Sequence, residues 1–256
     1  MTNLHFLDPN PKGSPAVLLL HGLGTNGSSW ILQFDALVEA GFRPIAPDAP
    51  GFGESPYDGQ GWSIPRVSSV MAGLLNELNV APVHVVGISM GGTIAQQLVL
   101  DFPHLINKLI LVNTFSILRP KNLSGWFYFL QRFLLVHLLG LPTQANFVAK
   151  RIFPGEDQQE KRDRLVQQLS EADPRAYRAA MRSLGVFNSS KRLREITAPT
   201  LVVSSDRDTT VPADSQKFLV EHISSARQVI IQNAGHAVTI DQPVQFNTAL
   251  LEFLLE

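Results

Sequence analysis

Cysteine is absent from the 256-residue sequence. Its absence excludes disulfide staples, thiolate nucleophiles and Cys-ligated zinc. Charge is sparse and balanced, with 21 Lys+Arg against 22 Asp+Glu and a net charge of −1. No strong field therefore invites nucleic acid or anionic lipid. Long hydrophobic runs are missing too. The most apolar stretch, residues 126–139, is interrupted by Gln131, Arg132 and His137, and falls short of the roughly 20 residues a membrane span needs. It reads as a buried or lid helix, with an interfacial segment as the alternative. The N-terminus has no basic segment followed by an apolar one, so no signal peptide is expected. A cytoplasmic protein without stable membrane insertion follows as the expectation. A hydrophobic fraction of 45% argues against disorder and for a substantial core.

Short apolar runs alternate with helical patterns. The runs are 16–20 (AVLLL), 42–46, 83–86 (VHVV), 109–112 (LILV), 201–203 (LVV) and 229–231 (VII). Apart from 42–46 they are nearly continuous in Val, Ile and Leu, as suits strands covered on both faces. Between them, 64–78 carries Val67, Val70, Met71, Leu74, Leu75 and Leu78 at helical spacing. Further helices are expected over 91–100 and 215–222. The order strand, helix, strand predicts an α/β fold with a doubly wound, mostly parallel sheet. From about 115 to 194 the alternation stops and only helical patterns remain, punctuated by Pro120, Pro142, Pro154 and Pro174. This predicts a core of 1–115 and 195–256 with a helical cap of 116–194 inserted in it.

The sharpest local signal is Gly87-Ile88-Ser89-Met90-Gly91, directly after VHVV and directly before a helical pattern. In that context G-x-S-x-G predicts a strained strand-to-helix turn that presents the serine at the carboxyl end of the sheet. A serine needs a base. His236, in Asn233-Ala234-Gly235-His236, follows the last apolar run and so reaches the same edge. His21 is better suited to holding its own loop by hydrogen bonds, and His84 lies inside a strand. The base needs an orienting carboxylate. Asp208 in Ser205-Asp206-Arg207-Asp208 is favoured, with Asp206 as the alternative and a turn residue otherwise. The order Ser89, Asp208, His236 differs from that of chymotrypsin or subtilisin types. No His/Asp/Glu grouping has metal spacing, so neither metal nor cofactor is expected.

Together these segments resemble the α/β-hydrolase-fold superfamily, in its serine esterase-like members with a helical cap. The resemblance rests on HGLG at 21–24, DAPGFGES at 48–55, GISMGG at 87–92, SDRD at 205–208 and GH at 235–236. It implies an oxyanion hole from the backbone N–H groups of Leu23 and Met90. It also implies a carboxylic ester hydrolase working through an acyl-enzyme on a small to medium, partly hydrophobic ester. C–C bond hydrolase, lactonase or perhydrolase chemistry is the alternative, and a ligand-sensing regulatory protein a third. Gly22, Phe115, Trp126, Val211 and Ala237 are the expected substrate contacts. The aromatic residues of 126–138 are expected mainly as core. DAPGFGES is expected to shape the site structurally. The partner expected is the small-molecule substrate, with no nucleic acid, in a monomer or homodimer. Two departures from the family pattern are the short segment before AVLLL, which predicts an abbreviated opening strand pair, and Ser205 in place of a glycine.

Overall fold

The computed structural model describes residues 3–118 and 123–256, except the side chains of 124–126, 128 and 129. Seven strands form one sheet in the order β1-β3-β2-β4-β5-β6-β7. They are β1 (Phe6–Leu7), β2 (Ala16–Leu20), β3 (Arg43–Pro47), β4 (Val83–Ile88), β5 (Ile106–Val112), β6 (Thr200–Ser205) and β7 (Ala226–Ile231). All pairings from β3 to β7 are parallel. Two-residue β1 alone runs antiparallel, against β3, so the opening pair is indeed abbreviated.

The continuous apolar runs feed two cores at once, because successive strand side chains point to opposite faces. In β2, Leu18 and Leu20 join one core, with residues of α2 (Ile64–Leu78), α3 (Met90–Asp101) and α8 (Ala213–His222). Val17 and Leu19 join the other, under α1 (Ile31–Glu39) and α10 (Pro243–Leu255). Each fully buried Leu contributes about 1.5–3 kcal/mol. The run in β7 behaves differently: Val229 and Ile230 are 36% and 53% exposed. The expectation of burial on both faces fails there because β7 is the sheet's edge, paired only with β6. Helix α2 spans the predicted residues. Ser63 caps it by accepting from Arg66 N–H at 3.3 Å, Pro65 fits its first turn, and left-handed Asn79 (φ 52°) stops it.

Between β5 and β6 the chain forms α4 (Leu123–Leu134), a π-helical turn over 135–139, α5 (Gly140–Ile152), α6 (Gln159–Glu171) and α7 (Pro174–Val186). Asp173 caps α7 through the N–H groups of Arg175 and Ala176, with Pro174 at its start. The insertion rests on loops that leave the sheet. Asp173 N–H donates to Gly51 O at 2.8 Å, and Leu169 and Tyr177 crowd Gly24. One expectation is corrected here. Phe127, Phe133, Leu134 and Leu138 are 45–74% exposed rather than core. The physical reason is that, among the described side chains, the core here takes up Val136 and, further on, Leu141, while these four residues face outward. The Trp126 side chain and Pro120 lie outside the described residues. Among the described residues no helix is long and apolar enough to cross a membrane.

Candidate active site

Ser89 sits between β4 and α3 with φ 54° and ψ −113°, a backbone state that residues other than glycine rarely adopt. Small neighbours make it possible. A Cβ on Gly87 would stand 2.3 Å from Gly91 O, and one on Gly91 would stand 2.0 Å from Leu20 O. Both obstacles are backbone, so neither can yield. Thr114 Oγ1 donates to Ser89 O at 2.7 Å, and Ser89 N–H donates to Val112 O at 3.0 Å. The turn is thus anchored to the end of β5. Met90, buried, opens α3, so its amide stands at a helix N-terminus where negative charge is favoured.

Asp208 and His236 lie together. His236 Nδ1 is 2.9 Å from Asp208 Oδ2, with the side chains 8% and 1% exposed. Asp208 Oδ1 accepts from the N–H groups of Thr210 (2.7 Å) and Val211 (3.0 Å). All of this leaves Oδ2 free to hold one tautomer, with Nε2 as the other face of the ring. Asp206 instead accepts from Ala234 N–H at 3.1 Å, 28 residues away, so its carboxylate ties its loop to the one that bears His236 and does not close a local turn.

The loop after β2 is held from below by His21. Ala49 N–H donates to His21 Nε2 at 3.0 Å, so Nδ1 carries the proton and donates to Gly22 O at 2.8 Å. Burial pushes the His21 pKa below its ordinary value and keeps the ring neutral, as this bonding requires. Thr25 adds N–H and Oγ1 bonds to Gly22 O. A Cβ on Gly22 would lie 3.9 Å from Ser89 Cβ, so the structure brings this loop, with Leu23 half-buried in it, beside the serine turn. In DAPGFGES, buried Asp48 accepts from Gly27 N–H (2.7 Å), Glu54 N–H (2.9 Å) and His5 (2.8 Å). It is a structural knot.

Of the expected substrate contacts, Gly22 borders Ser89 and Val211 borders Asp208. Phe115 and Val211 are buried in the core that includes insertion residues, and half-buried Ala237 packs against it. Sequence reasoning missed Asn113. It is fully buried, has φ 41°, and its Nδ2 donates to Ser205 Oγ (2.8 Å), Gly235 O (3.3 Å) and His236 O (2.9 Å). The available signal was a polar Asn-Thr pair ending the LILV strand at the edge where Ser89 and His236 were expected. Ser205, the departure from the family pattern, is one of its partners.

The sequence profile of the α/β hydrolase fold matches residues 15–243. "Putative carbamate hydrolase RutD" of Variovorax paradoxus is 32% identical over 257 residues, covering 98% of this chain and 96% of that protein. The 3-oxoadipate enol-lactonase 2 of Acinetobacter baylyi is 29% identical, covering 92% and 87%. Among solved structures, a thermophilic esterase from Thermogutta terrifontis superposes with a TM-score of 0.84 at 26% identity, covering 98% and 92%. The enol-lactonase from Burkholderia xenovorans reaches 0.90 at 23% identity, covering 99% and 96%, a likeness of fold. With the sheet order, the serine turn and these matches in hand, the chain belongs to the α/β hydrolase fold family.

Proposed function

We propose that this protein is a serine hydrolase that cleaves carboxylic esters through an acyl-enzyme. One observation carries the reading. Adjacent residues Asn113 and Thr114 bond to His236 O and Ser89 O respectively, so two distant loops are tied to one point at the sheet's edge. The Asp208–His236 pair stands in the same place. In this reading His236 Nε2 takes the Ser89 proton and the alkoxide adds to the ester carbonyl. The tetrahedral oxyanion is held by the N–H groups of Leu23 and Met90. His236 then passes its proton to the leaving alkoxide, and the alcohol departs. Water, deprotonated by the same ring, releases the acid and regenerates Ser89. Asp208 fixes the tautomer and stabilises the imidazolium. The helices of 116–194 act as the cap over this site, and Phe115, Val211, Ala237 and Gly22 as the pocket.

A second reading has an observation of its own. The relatives at 32% and 29% identity carry names of a carbamate hydrolase and an enol-lactonase, both acting at a carbonyl with a heteroatom leaving group. A cyclic enol ester or a carbamate passes through the same tetrahedral adduct. The test is a panel of p-nitrophenyl esters, lactones, carbamates and a ring-fission dienone, run with the wild type and Ser89→Ala. Ester turnover lost by at least about 10³-fold in Ser89→Ala is the expected result. Undiminished turnover in that variant, or dienone cleavage without any ester or lactone turnover, defeats the proposal.

A further inference from the structure

The Gly235–His236 segment is gripped from two directions. From the core, Asn113 takes the carbonyls of both residues. From the other side, Gly235 N–H donates to Asp241 Oδ2 at 3.0 Å. The remaining oxygen of that carboxylate, Oδ1, faces Lys161 Nζ at 3.1 Å. Asp241 ends the short helix α9 (Val238–Asp241), in the core that also carries His236, whereas Lys161 belongs to α6 of the insertion. The insertion backbone arrives here too: Ile152 O would lie 3.5 Å from a Cβ on Gly235. One residue earlier, Arg151 donates to Thr209 O, and Thr209 Oγ1 donates to Arg151 O at 3.4 Å. Thr209 adjoins Asp208. The insertion therefore grips both loops that bear the Asp208–His236 pair.

The carboxylate of Asp241 is only 7% exposed, while Lys161 is 36% exposed. A nearly buried carboxylate needs charge-assisted partners. Without the ammonium, the Gly235 N–H is its remaining donor among the described residues, and the carboxylate gains by turning towards water. Gly235 has no Cβ to stiffen its peptide, so hydrogen bonds set the plane from which the His236 side chain departs. We propose that Asp241 is a positioning residue for His236, and that Lys161 sets it from the insertion. Seating of the insertion and alignment of the imidazole are then a single equilibrium. The inference rests on the reading of His236 as the base that serves Ser89. Its effect falls on kcat, because it changes the fraction of molecules with the base in line. Salt screens the pair through its partly exposed partner, Lys161, and so lowers kcat.

The experiment compares full-length wild type with Lys161→Met, Lys161→Arg and Asp241→Asn. It measures kcat and KM for p-nitrophenyl butyrate from low to high NaCl, fluorophosphonate labelling of Ser89, the melting temperature, and the Gly235 amide resonance. Lys161→Met and Asp241→Asn are expected to lower kcat about threefold to fivefold at low salt, in line with a partly screened ion pair. KM stays close to wild type, the melting temperature falls modestly in Lys161→Met, which leaves the Asp241 carboxylate without its cation, the salt response flattens, and Lys161→Arg restores kcat and the salt response. The Gly235 amide shifts in Lys161→Met. Wild-type kcat and wild-type salt response in Lys161→Met overturn the inference. A wild type that neither turns over ester nor labels at Ser89 removes the hydrolase reading instead. The Gly235 resonance then decides alone: unmoved in Lys161→Met, it overturns the coupling; shifted, it supports it.

Discussion

Asn113 carries more of the site's geometry than its place at a strand end suggests. Its backbone is left-handed at φ 41°, and one amide nitrogen serves three acceptors, one at the end of β6 and two on the loop that bears His236. Two variants separate backbone from side chain. Asn113→Gly relieves the dihedral and deletes the bonds; Asn113→Ala deletes the bonds and keeps the dihedral strained. Both leave buried carbonyls without their donor, at about 1–3 kcal/mol. Both are expected to melt earlier than wild type and to lose at least about tenfold in kcat, with Asn113→Ala the less stable by up to about 1 kcal/mol. Thermal unfolding and steady-state kinetics check this, and an Asn113→Gly enzyme with wild-type kcat would show that these bonds do not align His236.

At the scale of elements, the passage from β4 into α3 is governed by close backbone contact. Gly91→Ala puts a methyl 2.0 Å from Leu20 O. Neither the strand nor the helix can retreat without disturbing both cores, so a loss of about 3 kcal/mol or more is expected. Gly185 in α7 is the control. A Cβ there meets nothing within 4 Å, and its φ is not left-handed. Gly185→Ala should raise stability by up to about 0.5–1 kcal/mol, through helix propensity and a less flexible unfolded chain. Chemical denaturation of the pair reads both signs. If Gly91→Ala proves as stable as wild type, the tight-turn account of Ser89 is wrong. Elements were largely legible in the sequence: α2 appears over the very residues its apolar period marked, and β2 over the AVLLL run. The burial of β7 was misjudged because a run of Val and Ile does not say whether a strand has one neighbour or two.

For the molecule as a whole, acid stability has an identifiable contributor far from the site. His84, at the start of β4, is buried edge-on against Phe42 at 6.0 Å. Burial, aided by the charge of Lys108, lowers its pKa from 6.5 to about 4. The folded state therefore resists a proton that the unfolded chain accepts. The associated stability is intact above pH 6.5 and is lost as pH falls from there through about 4, a span worth on the order of 2–3 kcal/mol. Urea midpoints of wild type should fall across that window, and those of His84→Leu should fall less. Parallel declines in the two proteins would remove His84 from the account. The insertion shows the opposite limit of sequence reading: its aromatic residues were expected in the core, yet Phe127 is 68% exposed. Periodicity marks an apolar stripe without saying whether anything covers it.

What the sequence by itself determined is what depends on local chemistry. Continuous apolar runs mark the strands, and in the sheet's interior their burial on both faces; the glycines around Ser89 permit one strained turn, and an aspartate and a histidine follow the last two parallel strands. Only the tertiary structure decided how those loops are held in place. The carbonyls of Ser89 and His236 are 147 residues apart in the chain, yet they hydrogen-bond to the neighbouring side chains Thr114 and Asn113. Likewise, Asp241 meets Lys161 across 80 residues. Such contacts follow from strand order and from where the insertion settles, which are outcomes of packing the whole chain and not of any window along it.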